Sequence, residues 1–279
     1  MSYGGDKPGD IKALGGKDLT YMSYLKVEEL LNLQNLVSEP RHHDEMLFII
    51  IHQAYEIWFK LILHELEKAA EHMKKKEVLS ANHFVKRVVE IFRILVPQIQ
   101  LLETMTPKDF LEFRSRINPA SGFQSVQFRE IEFFAGLQEQ RYLEYLKNIP
   151  GAVQKLQKRI ASPTLGQIYL EMIRGLGFAL PENLNPANLE SNQLDMNQVL
   201  TTLRQIYLSP YKFLEIYQLS ESLLDFDEYL SLWRYHHVMT VERIIGMKVG
   251  TGGSPGANYL RTTTSKQCFP FLWKVRTIL

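Results

Sequence analysis

The sequence predicts an all-α protein, built as a bundle of long helices with shorter accessory helices around a pocket. Several long segments carry apolar residues at the i, i+3, i+4 and i+7 spacing of an amphipathic helix. Proline, serine or threonine stands where several of these segments begin, and glycine stands where the last of them ends. No segment between two turn signals keeps up the alternation of apolar and polar residues that a half-buried strand requires.

The most apolar helix is predicted from about Asp44 to Leu66, after the sequence Ser38-Glu39-Pro40. At 100° per residue its apolar side chains fall on nearly every side, so we expect this helix in the middle of the bundle. His52 follows the run Met46 to Ile51 within this helix. Its imidazole is therefore expected to face the protein interior or a pocket.

The remaining elements follow from the same signals. A short helix is predicted from Asp18 to Asn35, and a second long helix from Ala81 to Glu103, which Pro97 should kink or split. Thr106 as N-cap and Pro107 at the first position open the next helix. Further along, the sequence predicts a turn at 118–122, a helix over 124–134, shorter helices between 136 and 197, and a long helix from Ser209-Pro210 to about Gly246.

The composition is that of an ordinary soluble globular protein, with 45% hydrophobic and 23% charged residues among 279. The formal net charge of +1 creates no overall attraction to nucleic acid or to an anionic membrane. Cys268 is the single cysteine, which leaves no intrachain disulfide and no multi-cysteine metal site. We expect residues 1–17 to be a flexible N-terminal segment without signal-peptide character and residues 18–279 to form one helical domain. A cytoplasmic location without nucleic-acid or membrane partners is therefore expected.

The glycine-rich segment GTGGSPG at 250–256 has two interpretations. A dinucleotide fingerprint would need a strand before it and a helix opening on its glycines, but here a helix precedes it. The segment is either a helix C-cap followed by a surface turn, or a flap whose Thr251 hydroxyl and backbone amides close over a small anionic group. The pattern alone leaves both interpretations open.

The histidines permit one kind of metal chemistry better than others. A di-iron bundle needs Glu-x-x-His on each of two helices, and a zinc protease needs His-Glu-x-x-His; the sequence carries neither set. A haem site that handles dioxygen needs only one neutral histidine as axial ligand, an apolar cavity and a polar group on the opposite face. His237, with Trp233 four residues before it, and His52 fit these two positions. Each could equally be a histidine satisfied within a helical core.

Arg114 is a candidate for binding a carboxylate. It follows the sequence Phe110-Leu111-Glu112-Phe113, so its neighbours are largely aromatic, and its planar guanidinium can hold a carboxylate by two parallel hydrogen bonds. The alternative is an ordinary ion pair within the bundle. An arginine, a Thr/Gly segment and two histidines together suggest an amino-acid-like ligand above a cofactor.

With these residues in place, the chain resembles the tryptophan 2,3-dioxygenase family, haem enzymes related to the indoleamine 2,3-dioxygenases. The most specific motifs are FIIIHQ at 48–53, PASGFQS at 119–125 and GTGGSPG at 250–256. The similarity runs in the family's order from one end of the chain to the other, through residues 18–25, 42–66, 102–114, 119–132, 232–260 and 269–277.

The resemblance implies a haem b cofactor, ferrous in the active form, with His237 as the axial ligand to the iron and Trp233 beside it. Ser121 and Gly122 would border the haem and the distal pocket. The implied reaction inserts both atoms of O₂ across the C2–C3 bond of the indole of L-tryptophan. The product is N-formyl-L-kynurenine, and the reaction is the first step of tryptophan breakdown by the kynurenine pathway.

The resemblance also assigns residues to the substrate. His52 would be the catalytic residue on the distal side and would accept a hydrogen bond from the indole N–H. Arg114 would pair with the substrate carboxylate, Thr251 would contact the carboxylate and the ammonium, and Phe48 would line the indole pocket. The N-terminal residues Tyr21, Tyr24 and Leu25 would complete the site of a neighbouring subunit in a homotetramer, a dimer of dimers.

Some features keep other functions open. Phe110 stands where some members of the family have tyrosine, so a phenol contact is absent there, and residues 136–200 match weakly. A haem-based sensor would share the two histidines without needing Arg114 or Thr251. A helical interaction protein would need none of these residues. Oxygen insertion into a modified indole is an alternative within the enzymes.

Overall fold

The computed structural model describes residues 19–182, 184, 189, 192–250 and 256–279, and these ranges contain helices and no strand. The three longest helices are α3 (His43–Lys74), α4 (Val78–Gln98) and α11 (Leu214–Ile245). α4 packs against both α3 and α11, so these three helices form the centre of the fold. Their contact is made by fully buried side chains, among them Ile62, Leu66, Val85, Val88, Phe92, Leu95, Leu219, Leu223 and Phe226.

Shorter helices surround this centre. α5 (Pro107–Ile117) packs on α3 and α11, and α6 (Val126–Ala135) packs on α3. Both begin at a side-chain cap, since Thr106 accepts from the amide of Asp109 and Ser125 accepts from the amide of Phe128. The other helices are α1 (Tyr21–Leu25), α2 (Val27–Leu31), α7 (Arg141–Tyr145), α8 (Ala152–Ile160), α9 (Leu165–Gly175), α10 (Gln193–Leu208), α12 (Ala257–Thr263) and α13 (Pro270–Lys274).

The all-α prediction is confirmed, and several predicted boundaries move. The single helix predicted from Asp18 to Asn35 is two short helices, because Lys26 adopts a left-handed conformation between α1 and α2. The second predicted helix is split close to Pro97, as expected. α4 ends at Gln98, and the chain continues as the 3₁₀ helix Ile99–Thr104. Ser209-Pro210 was predicted to open the last long helix, but it lies in the turn between α10 and α11.

The expectation that the most apolar helix, α3, lies in the middle of the bundle is wrong for the single chain. One side of this helix is in the core, but its opposite side is not covered within the single chain: Ile50 is 47% exposed and Ile57 is 54% exposed. α3 is also the one helix among the described ranges that is long and apolar enough to cross a membrane by length and composition. The same composition is found in core helices, and Ile51, Phe59 and Ile62 of α3 are buried in the protein core.

Asp227 fastens the C-terminal segment to α11. Its carboxylate is fully buried and accepts hydrogen bonds from the amides of Cys268 and Phe269, at 2.9 and 3.1 Å, and from Trp273 Nε1 at 2.9 Å. A buried carboxylate is stable only when its oxygens are hydrogen-bonded. This clamp holds α13 and the segment before it against the helix that carries Trp233 and His237.

Candidate active site

A cavity of about 760 Å³ lies between α3, α5, α6 and α11, next to the loop that joins α5 to α6. Its volume is toward the upper end of the roughly 300–1,000 Å³ of ligand pockets in proteins. The described residues that the sequence assigned to cofactor and substrate meet in this cavity, with the exception of the N-terminal set: they are Phe48, His52, Arg114, Ser121, Gly122, Trp233 and His237.

His52 has a defined tautomer. Its Nδ1 lies 2.7 Å from the carbonyl oxygen of Phe48, one turn earlier in α3. A carbonyl can only accept, so Nδ1 must carry the proton, and in the neutral ring Nε2 is then an acceptor. Burial lowers the pKa of His52, although the Phe48 carbonyl and Glu56 act in the opposite direction. His52 therefore offers a hydrogen-bond acceptor to a ligand in the cavity.

His237 lines the same cavity from α11. Burial, together with the nearby His52 and Arg129, lowers the pKa of His237 to about 4. Its ring stacks on Trp233 with 5.2 Å between centroids and 20° between planes. No hydrogen bond joins its ring nitrogens to another residue in the part of the chain that the structure describes. A neutral imidazole with a free lone pair is the form that binds a metal ion.

Arg114 extends from α5 into the cavity wall. Its Nη2 donates to the carbonyl oxygen of Val249, just before the glycine-rich segment. Its Nε is buried and has no hydrogen-bond partner among the described residues. Because a buried donor nitrogen without a partner is costly, this nitrogen is suited to an anionic ligand group.

A second cationic group, which the sequence interpretation missed, also lines the cavity. Arg129 and Arg234 are both buried and both bonded to the buried carboxylate of Glu132, and the distance from Arg234 Nη2 to Glu132 is 2.7 Å. Burial alone would raise the pKa of Glu132, but the two arginines outweigh it and hold that pKa below its ordinary value. The Nε atoms of Arg129 and Arg234 and the Nε1 of Trp233 are buried without a partner in the described ranges.

The loop between α5 and α6 supplies another side of the cavity. The Ser121 hydroxyl accepts from the amide of Phe123 and opens the short 3₁₀ helix Gly122–Gln124. A side chain added at Gly122 would meet no atom within 4 Å. Ser121 and Gly122 therefore border the open space of the cavity, and their predicted contact with a haem stays a prediction.

The wall near Arg114 is aromatic. The rings of Phe48 and His52 lie 4.1 Å apart between centroids, and Phe48 also contacts Phe110 and Phe113 at 5.7 and 5.8 Å. Phe110 is buried among these rings with Met105 and Phe113 as neighbours in one cluster. A flat apolar ligand fits between such side chains.

Two parts of the predicted site are not in this cavity. Thr251 lies outside the described residues, so its role stays a prediction. Tyr21, Tyr24 and Leu25 are on α1 and do not line the cavity of their own chain. Tyr21 is 74% exposed and Tyr24 70% exposed. Their predicted contact with a neighbouring subunit's site is untested by a single chain.

The donor set indicates which ligand the cavity can hold. Within the described ranges no group of three or more His, Cys, Asp and Glu side chains is arranged to hold a metal ion. A metal ion in this cavity would then be bound by His237, and its other ligands would come from a cofactor, as the porphyrin supplies them in haem. Arg129 and Arg234, which line the same cavity, provide positive charge for anionic groups of such a ligand. Fold and site thus define an all-helical protein whose cavity has the size and the charges to fit a large apolar cofactor with anionic substituents.

Comparison with known proteins narrows this class. A sequence profile of the tryptophan 2,3-dioxygenases matches residues 8–173 and 197–279. Tryptophan 2,3-dioxygenase of a Nocardioides species is 45% identical over 269 residues, covering 95% of this chain and 96% of that protein. The Herpetosiphon aurantiacus protein of the same name is 42% identical, covering 94% and 98%, and that of Caulobacter vibrioides is 38% identical, covering 94% and 99%.

The chain belongs to the tryptophan 2,3-dioxygenase family, as the motifs around His52 and His237 suggested. It is therefore an oxidoreductase, a dioxygenase of tryptophan breakdown, and the family implies a haem cofactor. The unpartnered donors and the neutral His237 described above fit such a cofactor.

Proposed function

We propose that this cavity binds haem and L-tryptophan side by side and that the chain uses O₂ there to open the indole ring, giving N-formyl-L-kynurenine. One observation carries the proposal: a single cavity has two neutral imidazoles, His52 and His237, and holds Arg114 as well as the pair Arg129 and Arg234. This arrangement suits a metal-bearing cofactor together with an amino acid.

His237 would be the axial ligand to the iron of haem b, because it is neutral and its ring nitrogens have no described hydrogen-bond partner. Arg129 and Arg234, which line the cavity and keep a net positive charge beside Glu132, would receive the propionates of the cofactor, and Trp233 would lie beside it next to His237. Ser121 and Gly122 would border it on another side. When bound in the ferrous form, haem supplies the activation of dioxygen.

The chain's own residues would fix the substrate. Arg114, which lines the cavity and whose Nε has no described partner, would bind the carboxylate, and the predicted Thr251 contact would add to it. Phe48 would pack on the indole ring. His52 Nε2 would accept the indole N–H, because Nδ1 already donates to the Phe48 carbonyl. Holding both ends fixes C2 and C3 of the ring, and positioning of this kind can lower a barrier by several kcal/mol, up to about 7–11 kcal/mol.

His52 would orient the substrate rather than remove its proton. An indole N–H is far too weakly acidic to be deprotonated by a neutral imidazole, and burial lowers the pKa of His52 further. His52→Ala should therefore lower activity while haem stays bound. His237→Ala should abolish the normal five-coordinate ferrous spectrum, and an unchanged spectrum would exclude His237 as the ligand.

One assay separates this proposal from its alternatives. The protein is reduced, L-tryptophan and O₂ are added, and the near-ultraviolet absorption of formylkynurenine is followed. A haem-based sensor would show a haem spectrum but form no product, and a helical interaction protein would purify colourless. An enzyme acting on a modified indole would turn over that indole in preference to L-tryptophan.

Self-association would complete the site. The exposed face of α3 with Ile50 and Ile57, and the exposed side chains of Tyr21, Tyr24 and Leu25, are apolar surface that a second copy of the chain can cover. We infer a homotetramer, a dimer of dimers, in which α1 of one subunit approaches the cavity of its neighbour. A cytoplasmic location is part of the same proposal and is tested by cell fractionation.

Subunit complementation tests this contribution. One inactive variant carries Arg114→Met, and the other carries Tyr21→Ala, Tyr24→Ala and Leu25→Ala. Each mixed assembly then contains some cavities with an intact Arg114 and an intact neighbouring α1. Activity should recover on mixing under conditions that exchange subunits. A mixture that stays as inactive as its components, although exchange occurs, would contradict the proposed role of α1.

A further inference from the structure

The cluster of Glu132, Arg129 and Arg234 is arranged in an unusual way for an ion pair. Each carboxylate oxygen of Glu132 serves one arginine: Oε2 accepts from Arg129 Nη1, and Oε1 accepts from Arg234 Nη2 at 2.7 Å. All three residues are buried, with at most 6% of their surface exposed. Both arginines are thus held by their terminal nitrogens, while their Nε atoms lack a described partner.

Other contacts leave each guanidinium little freedom. Arg129 lies over the ring of Tyr142 at 4.2 Å and over that of Phe128 at 4.9 Å. Arg234 Nη1 also donates to the carbonyl oxygen of Lys266 at 3.3 Å. These contacts fix both guanidinium groups in the wall of the cavity that the two arginines line.

We propose that Glu132 is a positioning residue of the cofactor site: it holds the guanidinium groups of Arg129 and Arg234 at the cavity wall, where their positive charge receives the carboxylates of haem. This inference rests on the proposed function, because it takes haem as the occupant of the cavity. Glu132 itself does not bind the cofactor. It carries one negative charge between two positive ones, so the cluster keeps a net positive charge for an anionic ligand.

The variant Glu132→Gln distinguishes position from charge. It removes a negative charge, and on charge alone it should strengthen the binding of an anionic cofactor. The glutamine amide, however, accepts through one oxygen only, and its NH₂ group meets an arginine donor. One guanidinium then loses its anchor. If Glu132 acts by positioning the arginines, Glu132→Gln should therefore bind haem more weakly, whereas the change in charge alone would make haem binding stronger.

The experiment measures haem release from the loaded protein to an excess of apomyoglobin. Glu132→Gln should release haem about tenfold faster than the wild type or more, as expected when a hydrogen bond to a charged group is lost. Glu132→Asp keeps the charge but is one methylene shorter and cannot reach both arginines, so its release should also be faster. Because Glu132→Asp preserves the buried charge balance, it serves the test if Glu132→Gln does not fold.

The matched control is Glu65→Gln. Glu65 is also buried in a helix and pairs with an arginine, Arg87, at 2.8 Å, but it does not line the cavity. Loss of its charge should lower stability without changing haem release by more than about twofold. If Glu65→Gln releases haem as fast as Glu132→Gln, general loosening of the fold explains both and the proposal is overturned.

Haem dimethyl ester supplies a readout that a merely structural role would not move. Its propionates are esterified, so it lacks the anionic groups that the arginines would bind. The wild type should release the ester faster than haem, and Glu132→Gln should add little to that rate. An equal acceleration for haem and for the ester, or release of haem at the wild-type rate or slower, would overturn the inference while leaving the proposed function intact. A wild type that binds no haem at all would overturn both.

Discussion

Arg114→Met tests whether the arginine on α5 binds the substrate carboxylate. In the structure Nη2 is occupied by the carbonyl oxygen of Val249, while Nε is buried without a described partner. A carboxylate that reaches Nε and the adjacent terminal nitrogen would make a bidentate, charge-assisted contact. Losing a contact of this kind typically costs on the order of 2–5 kcal/mol.

The lower part of that range applies here. Arg114 is half-buried, and the cavity admits water in the absence of ligand, so both charges are partly solvated once separated. A loss of about 2–3 kcal/mol corresponds to roughly a 30- to 150-fold weaker binding of L-tryptophan. Methionine is unbranched and apolar, so it replaces the arginine stem at a similar length without the charge.

Binding is measured by titrating the haem absorption bands with L-tryptophan and with tryptamine, which has the same ring and ammonium but no carboxylate. The wild type should prefer L-tryptophan, and Arg114→Met should lose that preference. If the substitution also disturbs the segment at Val249, it should weaken the binding of both ligands equally and leave the preference between them unchanged. Lys108→Met is the control, because Lys108 is an exposed cation on the same helix away from the cavity. A variant at Arg114 that still discriminates between the two ligands as the wild type does would refute this role.

Three further predictions concern pH, backbone and fold. Burial lowers the pKa of His52, so its neutral form persists below pH 6.5; the acidic decline of kcat/KM should therefore lie below 6.5 and vanish in His52→Ala, and a decline already complete at pH 6.5 would contradict this. Gly256→Ala would place a Cβ 2.7 Å from the carbonyl oxygen of Lys248 at a φ of +72°, so KM for L-tryptophan should rise about tenfold with haem content unchanged. Gly177→Ala, at a φ of +97° with no atom near its Cβ, is the control and should leave KM unaltered. Asp227→Asn leaves one carboxamide oxygen for donors that now share two carboxylate oxygens, and urea unfolding should show a loss of about 2–3 kcal/mol; unchanged stability would argue against the clamp.

The central helices could be predicted because they bury long, regular stripes. In α4 the apolar residues at helical spacing, such as Val85, Val88, Phe92 and Leu95, are buried as expected. The boundaries were less predictable, since they depend on single residues. Lys26 takes a left-handed conformation that a lysine rarely adopts, and nothing in the apolar pattern of residues 18–35 indicates the resulting break between α1 and α2.

The centre of the cavity was predictable, but the cationic cluster at its edge was not. Phe48, His52, Arg114 and His237 belong to the stretches that carry the family resemblance, and the fold brings them together. Arg129 and Glu132 are three residues apart on α6, a spacing that usually marks an exposed ion pair on a helix surface. A usable signal was nevertheless present: α6 carries Phe128, Ile131, Phe133 and Phe134, which leaves no polar side for its charges to face water.

The position of Arg129 links cofactor binding to the state of His237. A positive charge near an imidazole disfavours its protonation, and Arg129 is one of the groups that lower the pKa of His237. The same side chain lines the cavity. An arginine that receives a carboxylate of the cofactor would thereby also keep the lone pair of the proposed axial ligand available before the cofactor arrives. Glu132 limits this effect without cancelling it, because it shares its single charge between Arg129 and Arg234.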